Sequence, residues 1–413
     1  MTSDELFVWI YLPGDQTPVV AGRLGISQTA AGKLGHFTYG RTYLERKDAI
    51  PIDPVALPLK KGEYTFTSLS GFPGAILDSC PDRWGVKVID RLVGQQDYPR
   101  GYILRNDPGR SGALAFSAGA KEAPQEQSSR EFSLAQLLTA AEDVEANRPV
   151  DSELLKALHP GTGGARPKCN IVENNAVWIA KFPSIDDESL ISIPRLEHAT
   201  MQLGRLCGIS TAETCIREVN GRDVCLVRRF DRQIANDQIH RRAFLSARSV
   251  FYADPAYAAV STPSYARLSR WMPRYGCTEA HRKELFRRMV FNCMVKNVDD
   301  HELNHGLLHV RGNTFELAPA YDIVPSLKRH AIHYHAMLVG ESGAGTIANL
   351  VSVAEAFTFN RDEALTVIHQ IQQAVKEGWR DVFYAAGFGD DDLRVMEHVF
   401  QTLPVGSELG DRR

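Results

Sequence analysis

The chain has 413 residues, 44% of them hydrophobic and 23% charged, with a formal net charge of −3. That length exceeds what one compact core holds, so two or three domains are expected. Both signs of charge are interspersed and no apolar run approaches a membrane span, which sets aside direct DNA or RNA binding and a membrane role.

The N-terminus, Met1-Thr2-Ser3-Asp4-Glu5, lacks a basic n-region, and the apolar run 6–12 is too short for a signal peptide. Seven cysteines scattered without C-x-x-C pairing read as reduced thiols, so a cytoplasmic location is expected. Leu6-Phe7-Val8-Trp9-Ile10-Tyr11-Leu12 predicts a strand ending at Pro13-Gly14-Asp15. Val19-Val20-Ala21-Gly22-Arg23-Leu24 and His36-Phe37-Thr38-Tyr39 could pair with it as a meander, making residues 1–110 a strand-rich domain. Residues 118–132 are polar and aperiodic, as a linker would be, and Ser133 caps a predicted helix over 134–147. From Gly161 the pattern is strand-turn-strand: Lys168-Cys169-Asn170-Ile171-Val172 and Ala176 to Phe182 flank the turn signal Glu173-Asn174-Asn175.

Residues 183–194, rich in Ser and Asp, are read as mobile. A helix follows, with Leu196, Ala199, Leu203 and Leu206 at helical spacing and Gly208 past its end. Residues 224–232 predict a strand leaving toward a linker, and the second part, 111–240, ends there. The third part, 241–413, looks helical: Leu285, Phe286, Met289, Val290, Cys293 and Met294 form an amphipathic stripe, and two more helices are marked around Leu365 to Val375 and Leu393 to Phe400.

Two chemistries compete in Asn297-Val298-Asp299-Asp300-His301-Glu302-Leu303-Asn304-His305. His301-Glu302-Leu303-Asn304-His305 is a literal H-E-x-x-H, which binds zinc only on a helix, where both imidazoles face one ion. Gly306 follows at once and favours ending a helix, and His309, Glu316, His330, His333 and His335 stand at no recognisable third-ligand spacing. Phosphoryl transfer instead needs a proton acceptor, metal ligands and a phosphate cradle. Asp299, Asn304 and Asp322 supply an Asp, an Asn after four intervening residues and a second Asp. Asp322 lies in an apolar stretch, 317–325, where a carboxylate should be paired or coordinate metal, or else cap a turn. Upstream, Gly161-Thr162-Gly163-Gly164-Ala165-Arg166-Pro167-Lys168 precedes a strand as a phosphate-covering loop would, Lys181 ends the next strand, and Glu197 on the following helix could orient it. Each signal alone is weak; a three-Gly turn, a strand-end Lys and a helix-surface Glu are common. Their order along the chain favours phosphoryl transfer.

With these residues, the chain resembles the HipA family of toxin kinases. The matching segments are Gly163-Gly164-Ala165-Arg166-Pro167-Lys168, Ala180-Lys181-Phe182-Pro183, Arg229-Phe230-Asp231-Arg232, Asp299 to His305 and Pro319-Ala320-Tyr321-Asp322-Ile323, with Cys80-Pro81-Asp82-Arg83-Trp84-Gly85 in the early part. The resemblance implies an α+β fold, distantly protein-kinase-like, with a mixed α/β N-terminal part and an all-α C-terminal domain. Residues 1–110 would be the family's N-terminal subdomain, 111–240 a kinase N-lobe-like part, and 241–413 the all-α lobe. It implies ATP- and Mg²⁺-dependent serine/threonine kinase activity. Asp299 would be the catalytic base, and Asn304 and Asp322 the Mg²⁺ ligands. Gly163, Gly164, Ala165, Arg166, Lys168 and Lys181 would contact the nucleotide, with Phe230 at the hinge beside adenine. Residues 184–194 would match the activation-like loop.

The resemblance also implies a HipB-type helix-turn-helix antitoxin as partner, contact with DNA only through it, and a protein substrate of the aminoacyl-tRNA synthetase kind. Two positions depart from the pattern. Well-studied members carry an autophosphorylated Ser ahead of the Gly-rich loop; here His159-Pro160-Gly161-Thr162-Gly163 has none, leaving Thr162 as the substitute. A Glu at the hinge is replaced by Arg228. A small-molecule kinase of the aminoglycoside-phosphotransferase type and a non-catalytic binding module use the same parts and stand as alternatives.

Overall fold

The computed structural model describes residues 5–30, 32–67, 70–106, 109–124, 131–159, 161, 163–187, 191–257 and 262–406. Thr162, residues 188–190 of the segment read as mobile, and residues 125–130 of the segment read as a linker lie outside the described residues. The chain divides into two compact units. One comprises Met1–Asp187, Arg217–Ala253 and Leu308–Thr314; the other comprises Glu188–Ile216, Asp254–Leu307 and Phe315–Arg413.

The first unit opens with the expected meander. Strands β1 (Glu5–Ile10), β2 (Val19–Thr29), β3 (Gly32–Tyr39) and β4 (Glu63–Phe66) pair antiparallel, and β5 (Leu114–Ser117) adds to the free edge of β1, giving the order β4-β3-β2-β1-β5. Leu6, Val8 and Ile10 alternate onto one buried face, as a half-covered antiparallel sheet requires. The β1–β5 pairing is a long-range event: Trp9 Nε1 donates to Ser117 Oγ at 2.7 Å across 108 residues of sequence. Ser133 caps the helix Leu134–Glu145 in a capping box with Gln136.

A second sheet has the order β6-β7-β9-β8, built from β6 (Lys168–Glu173), β7 (Ala176–Lys181), β8 (Thr214–Val219) and β9 (Arg222–Arg228). Asn174 and Asn175 have φ of 51° and 56°, the paired left-handed conformation of a two-residue hairpin turn. Where the sequence suggests a linker after β9, the chain makes another hairpin, β10 (Arg232–Ala235) and β11 (Gln238–Arg241), turning on Asn236 and Asp237.

The second unit is mainly helical. The helix Ile193–Leu206 starts at a Ser192 cap with Pro194 in its first turn, and buries Leu196, Ala199 and Leu203. The helix Glu279–Met294 buries the whole predicted stripe, and with it two polar residues, Arg288 and Asn292. The 25-residue helix Arg361–Ala385 starts from an Asn360–Glu363 capping box. Its Trp379 and Phe383 pack on Phe400, and Phe383 also stacks on Phe388.

Residues 241–413 are therefore not all-α. Strands β12 (Phe244–Ser246), β13 (Gly306–Arg311) and β14 (Thr314–Leu317) interrupt the helices. β14 alternates between more exposed and buried residues, β13 buries four residues in a row, and Gly312 turns between them at φ 51°. Among the described residues, no helix is long and apolar enough to cross a membrane.

Candidate active site

In the second unit, the segment 296–305 is a sequence of turns, not a helix. The H-E-x-x-H imidazoles therefore lack the i, i+4 helical geometry that zinc needs. His301 Nδ1 accepts from the Leu303 N–H at 3.2 Å, and His305 Nε2 pairs with Asp300 Oδ2 at 2.8 Å.

What the turns achieve is to present Asp299. Its side chain is exposed while its neighbour Asp300 is buried, so the two adjacent carboxylates have opposite surroundings. The loop is pinned from several sides. The Val298 carbonyl accepts from Ala336 N–H at 3.0 Å, and the Asn297 carbonyl accepts from His335 Nδ1–H at 2.9 Å. Asn297 Nδ2 donates to Asn292 Oδ1 at 3.2 Å, and Ser326 N–H reaches the Lys296 carbonyl at 2.9 Å. Asn304 is 7% exposed and turns its Nδ2 back toward the Asp299 carbonyl at 3.4 Å, which leaves its amide oxygen for another partner.

Asp300 anchors the loop from beneath. Its Oδ2 accepts from the Tyr265 hydroxyl, from Asn292 Nδ2 at 3.0 Å and from His305 Nε2 at 2.8 Å. All four side chains are buried. Burial by itself would raise the Asp300 carboxyl pKa; the charge and hydrogen bond of His305, and then the Tyr265 hydroxyl, outweigh it and hold the value below the ordinary range. Sequence reasoning missed this cluster. The signal was present as a polar pair, Arg288 and Asn292, one helical turn apart on a buried apolar stripe.

Asp322 is held by a separate set of contacts. The extended segment before it is fixed by Ala212 N–H to the Ala320 carbonyl and Ala320 N–H to the Ser210 carbonyl, each 2.8 Å. Buried Arg288 donates to the Ala318 carbonyl at 2.7 Å, and pairs with Glu284 at 3.0 Å. The Tyr321 hydroxyl donates to the Leu303 carbonyl at 2.7 Å, tying the residue before Asp322 to the residue before Asn304. Asp322 itself has φ 61°, a left-handed backbone that costs a non-glycine residue about 1–3 kcal/mol and is found where the surroundings over-determine it. Asp299, Asn304 and Asp322 thus come from two loops that Tyr321 fastens to each other. A carboxylate and an amide oxygen on hydrogen-bonded loops are hard oxygen donors of the kind that suits Mg²⁺.

The first unit holds Gly163, Gly164, Ala165, Arg166, Lys168, Lys181 and Phe230, whereas Glu197 is buried on the helix Ile193–Leu206 of the second unit. The β6–β7 register sets Lys168 directly opposite Lys181, so both side chains project from the same face of the hairpin. Two like charges so placed oppose the pairing unless an anion lies near. The Gly-rich loop leads into Lys168: Gly164 has φ 114°, and a Cβ there would lie 1.9 Å from Lys168 Nζ. The Trp84 indole donates to the Lys168 carbonyl at 2.8 Å and fixes the start of β6. Ala165 is exposed, and exposed Arg166 pairs with Asp187 at 2.6 Å.

At the end of β9, Arg228 is exposed and Phe230 lies half-buried against Phe244, ring centroids 6.0 Å apart. Between them runs a buried cluster. Asp231 accepts from Arg229 at 2.8 and 2.9 Å, from Arg232 at 2.9 Å and from Gly112 N–H at 2.8 Å. Burial would raise its carboxyl pKa; the two guanidiniums overcome this and hold it far below the usual carboxylate range. Arg229 and Arg232 also donate to the Arg110 carbonyl, so this cluster fastens the end of β9 to the loop 109–112.

Residues 161–379, more than half of the chain, match the family described as the HipA-like C-terminal domain. The chain belongs to the HipA-like family. Among solved structures, it is similar to HipA from Shewanella oneidensis MR-1, determined in complex with HipB and operator DNA. The TM-score is 0.68 at 15% identity, covering 96% of this chain and 95% of that one, which shows a shared fold. A Helicobacter pylori proinflammatory kinase, CtkA, aligns with a TM-score of 0.37 at 11% identity over 56% of this chain and 92% of its own. No curated protein sequence matches the chain.

Proposed function

We propose that this HipA-like chain is a serine/threonine protein kinase that transfers the γ-phosphate of ATP to a protein hydroxyl. The observation that carries the reading is the contrast at 299–300: Asp299 is exposed at the tip of a turn whose adjacent Asp300 is buried and bonded to three side chains. A rigid loop presenting one carboxylate is what a proton-accepting base requires. Asp299 would accept the proton of the attacking hydroxyl. Asn304 and Asp322 would hold Mg²⁺, which when bound supplies charge neutralisation to the phosphates. The Gly163-Gly164-Ala165-Arg166 backbone, Lys168 and Lys181 would position the nucleotide, with Phe230 beside the base. The work of these residues is placement and charge, since the transferring phosphoryl is loosely bonded in its transition state.

In the cell, the reading extends to the toxin of a toxin–antitoxin pair with a HipB-like partner. The neighbouring HipA was crystallised with HipB and operator DNA, which supports that extension. DNA would be met only through the partner, and a component of translation such as an aminoacyl-tRNA synthetase is the substrate class proposed. The test is Asp299→Asn in the full chain. Transfer of labelled γ-phosphate to a co-expressed proteome should vanish while Mg-ATP binding persists, and transfer that survives refutes the role given to Asp299.

A further inference from the structure

The Gly-rich loop is bonded to an anion of its own chain. The helix Arg83–Val93 begins after Asp82, and an Asp in that position ordinarily accepts from the first N–H groups of its own helix. Asp82 makes no such bond. Its Oδ2 instead accepts from the Gly164 N–H at 2.6 Å. The next turn adds two contacts: Trp84 N–H donates to the Gly164 carbonyl at 3.4 Å, and the Trp84 indole to the Lys168 carbonyl. A Cβ at residue 163 would lie 2.6 Å from Asp82 Oδ2, so a larger residue there would push this carboxylate aside. Lys168, 5% exposed, sends its Nζ to the Gly163 carbonyl at 2.6 Å.

A glycine-rich loop holds phosphates with its backbone N–H groups. Here the Gly164 N–H is donated to a carboxylate, and a carboxylate oxygen and a phosphate oxygen compete for the same donor. They also repel each other, so Asp82 cannot keep this bond while a phosphate takes the same N–H. We propose that Asp82 is an internal competitor of the nucleotide phosphates, a latch that must release Gly164 before ATP seats and that thereby sets nucleotide affinity. The proposal rests on the ATP reading given above.

The test uses Asp82→Asn and Asp82→Ser in the full chain. Both replacements are good helix N-caps, so the helix keeps its start while the anion is removed. Two readouts separate the possibilities: hydrogen exchange of the peptide spanning 163–168, and the Kd for Mg-ATP by calorimetry. The latch predicts faster exchange in both variants and a Kd roughly fivefold lower, since a bond to a charged acceptor exceeds one to a neutral acceptor by about one such step. Unchanged exchange overturns the contact itself. Wild-type binding with an unchanged or raised Kd in both variants overturns the latch and leaves the ATP reading intact. If neither wild type nor variant binds Mg-ATP, both fall together.

Discussion

Removing the Asp300 carboxylate should unfasten the loop that carries Asp299. In Asp300→Ala, the Tyr265 hydroxyl, Asn292 Nδ2 and His305 Nε2 would lose a common acceptor in a site where each side chain is at most 3% exposed. Taking one partner from a buried pair costs ~3–5 kcal/mol, mostly because the remaining polar groups are left unpaired and dry. At ~2–4 °C per kcal/mol for a unit of this size, the melting temperature should fall by ~6–20 °C. Asp300→Asn keeps the shape and should lose less, on the order of a bond to a charged group, ~1.5–3 kcal/mol. Because the folded carboxyl pKa is held below its unfolded value, its contribution is complete above about pH 4 and disappears as pH falls through the folded value. Urea unfolding of wild type and both variants at pH 7, at pH 4 and in stronger acid measures this: the gap should be about as wide at pH 4 as at pH 7 and should narrow only as the pH falls below 4. On the proposed kinase reading, turnover should fall by about 100-fold in Asp300→Ala at temperatures where the variant is still folded, since small misplacements of a catalytic group cost that much. An Asp300→Ala chain within ~1 kcal/mol of wild type at pH 7 would refute the claim that this cluster holds the loop.

Other consequences are simpler to read. Tyr321→Phe removes only the hydroxyl that reaches the Leu303 carbonyl. It should cost ~1 kcal/mol in chemical unfolding, with a larger drop in kcat than in ATP affinity. Gly164→Ala places a Cβ at φ 114° and 1.9 Å from Lys168 Nζ; backbone strain of ~1–3 kcal/mol should weaken Mg-ATP binding about tenfold or more, checked by calorimetry. His159 is buried, and burial, with Arg110 beside it, pushes its pKa from 6.5 down to about 4. The unfolded chain therefore binds the proton more readily between these values. Stability is complete above about pH 6.5 and declines toward pH 4, by at most ~3 kcal/mol from this residue. His159→Leu should flatten the decline in unfolding free energy between pH 7 and pH 5, and an unchanged slope would show that His159 takes up no proton on unfolding.

What the sequence made legible were features written in short stretches. The β6–β7 hairpin is readable from Asn174-Asn175, because two adjacent left-handed residues fit one turn type. The helix Glu279–Met294 is readable from its stripe. The Asp299, Asn304 and Asp322 set is proposed from spacing, and the Tyr321 hydroxyl on the Leu303 carbonyl joins the two loops that carry these residues. The strands beyond residue 241 escaped because β13 and β14 are only six and four residues long and sit among strong helical patterns. The pairing of β5 with β1 escaped because it joins residues more than 100 apart, which no periodicity encodes.

The support of the site was hidden for a different reason. A catalytic carboxylate announces itself by type and spacing, but the residue that holds it in place is identified only by where it is buried. Asp299 and Asp300 are the same amino acid in adjacent positions, and nothing local tells them apart. Their difference arises when Tyr265 and Asn292, brought in by two other helices, surround one of them. Asp82 is the parallel case in the first unit: in sequence it is a helix cap, and only the approach of Gly164 across 82 residues makes it a partner of the Gly-rich loop. In both places a carboxylate that the sequence marks as ordinary becomes decisive through a donor supplied from a distant segment. Motifs propose the chemistry of the site, whereas the contacts that hold Asp300 and Gly164 in place are created only by the folded chain.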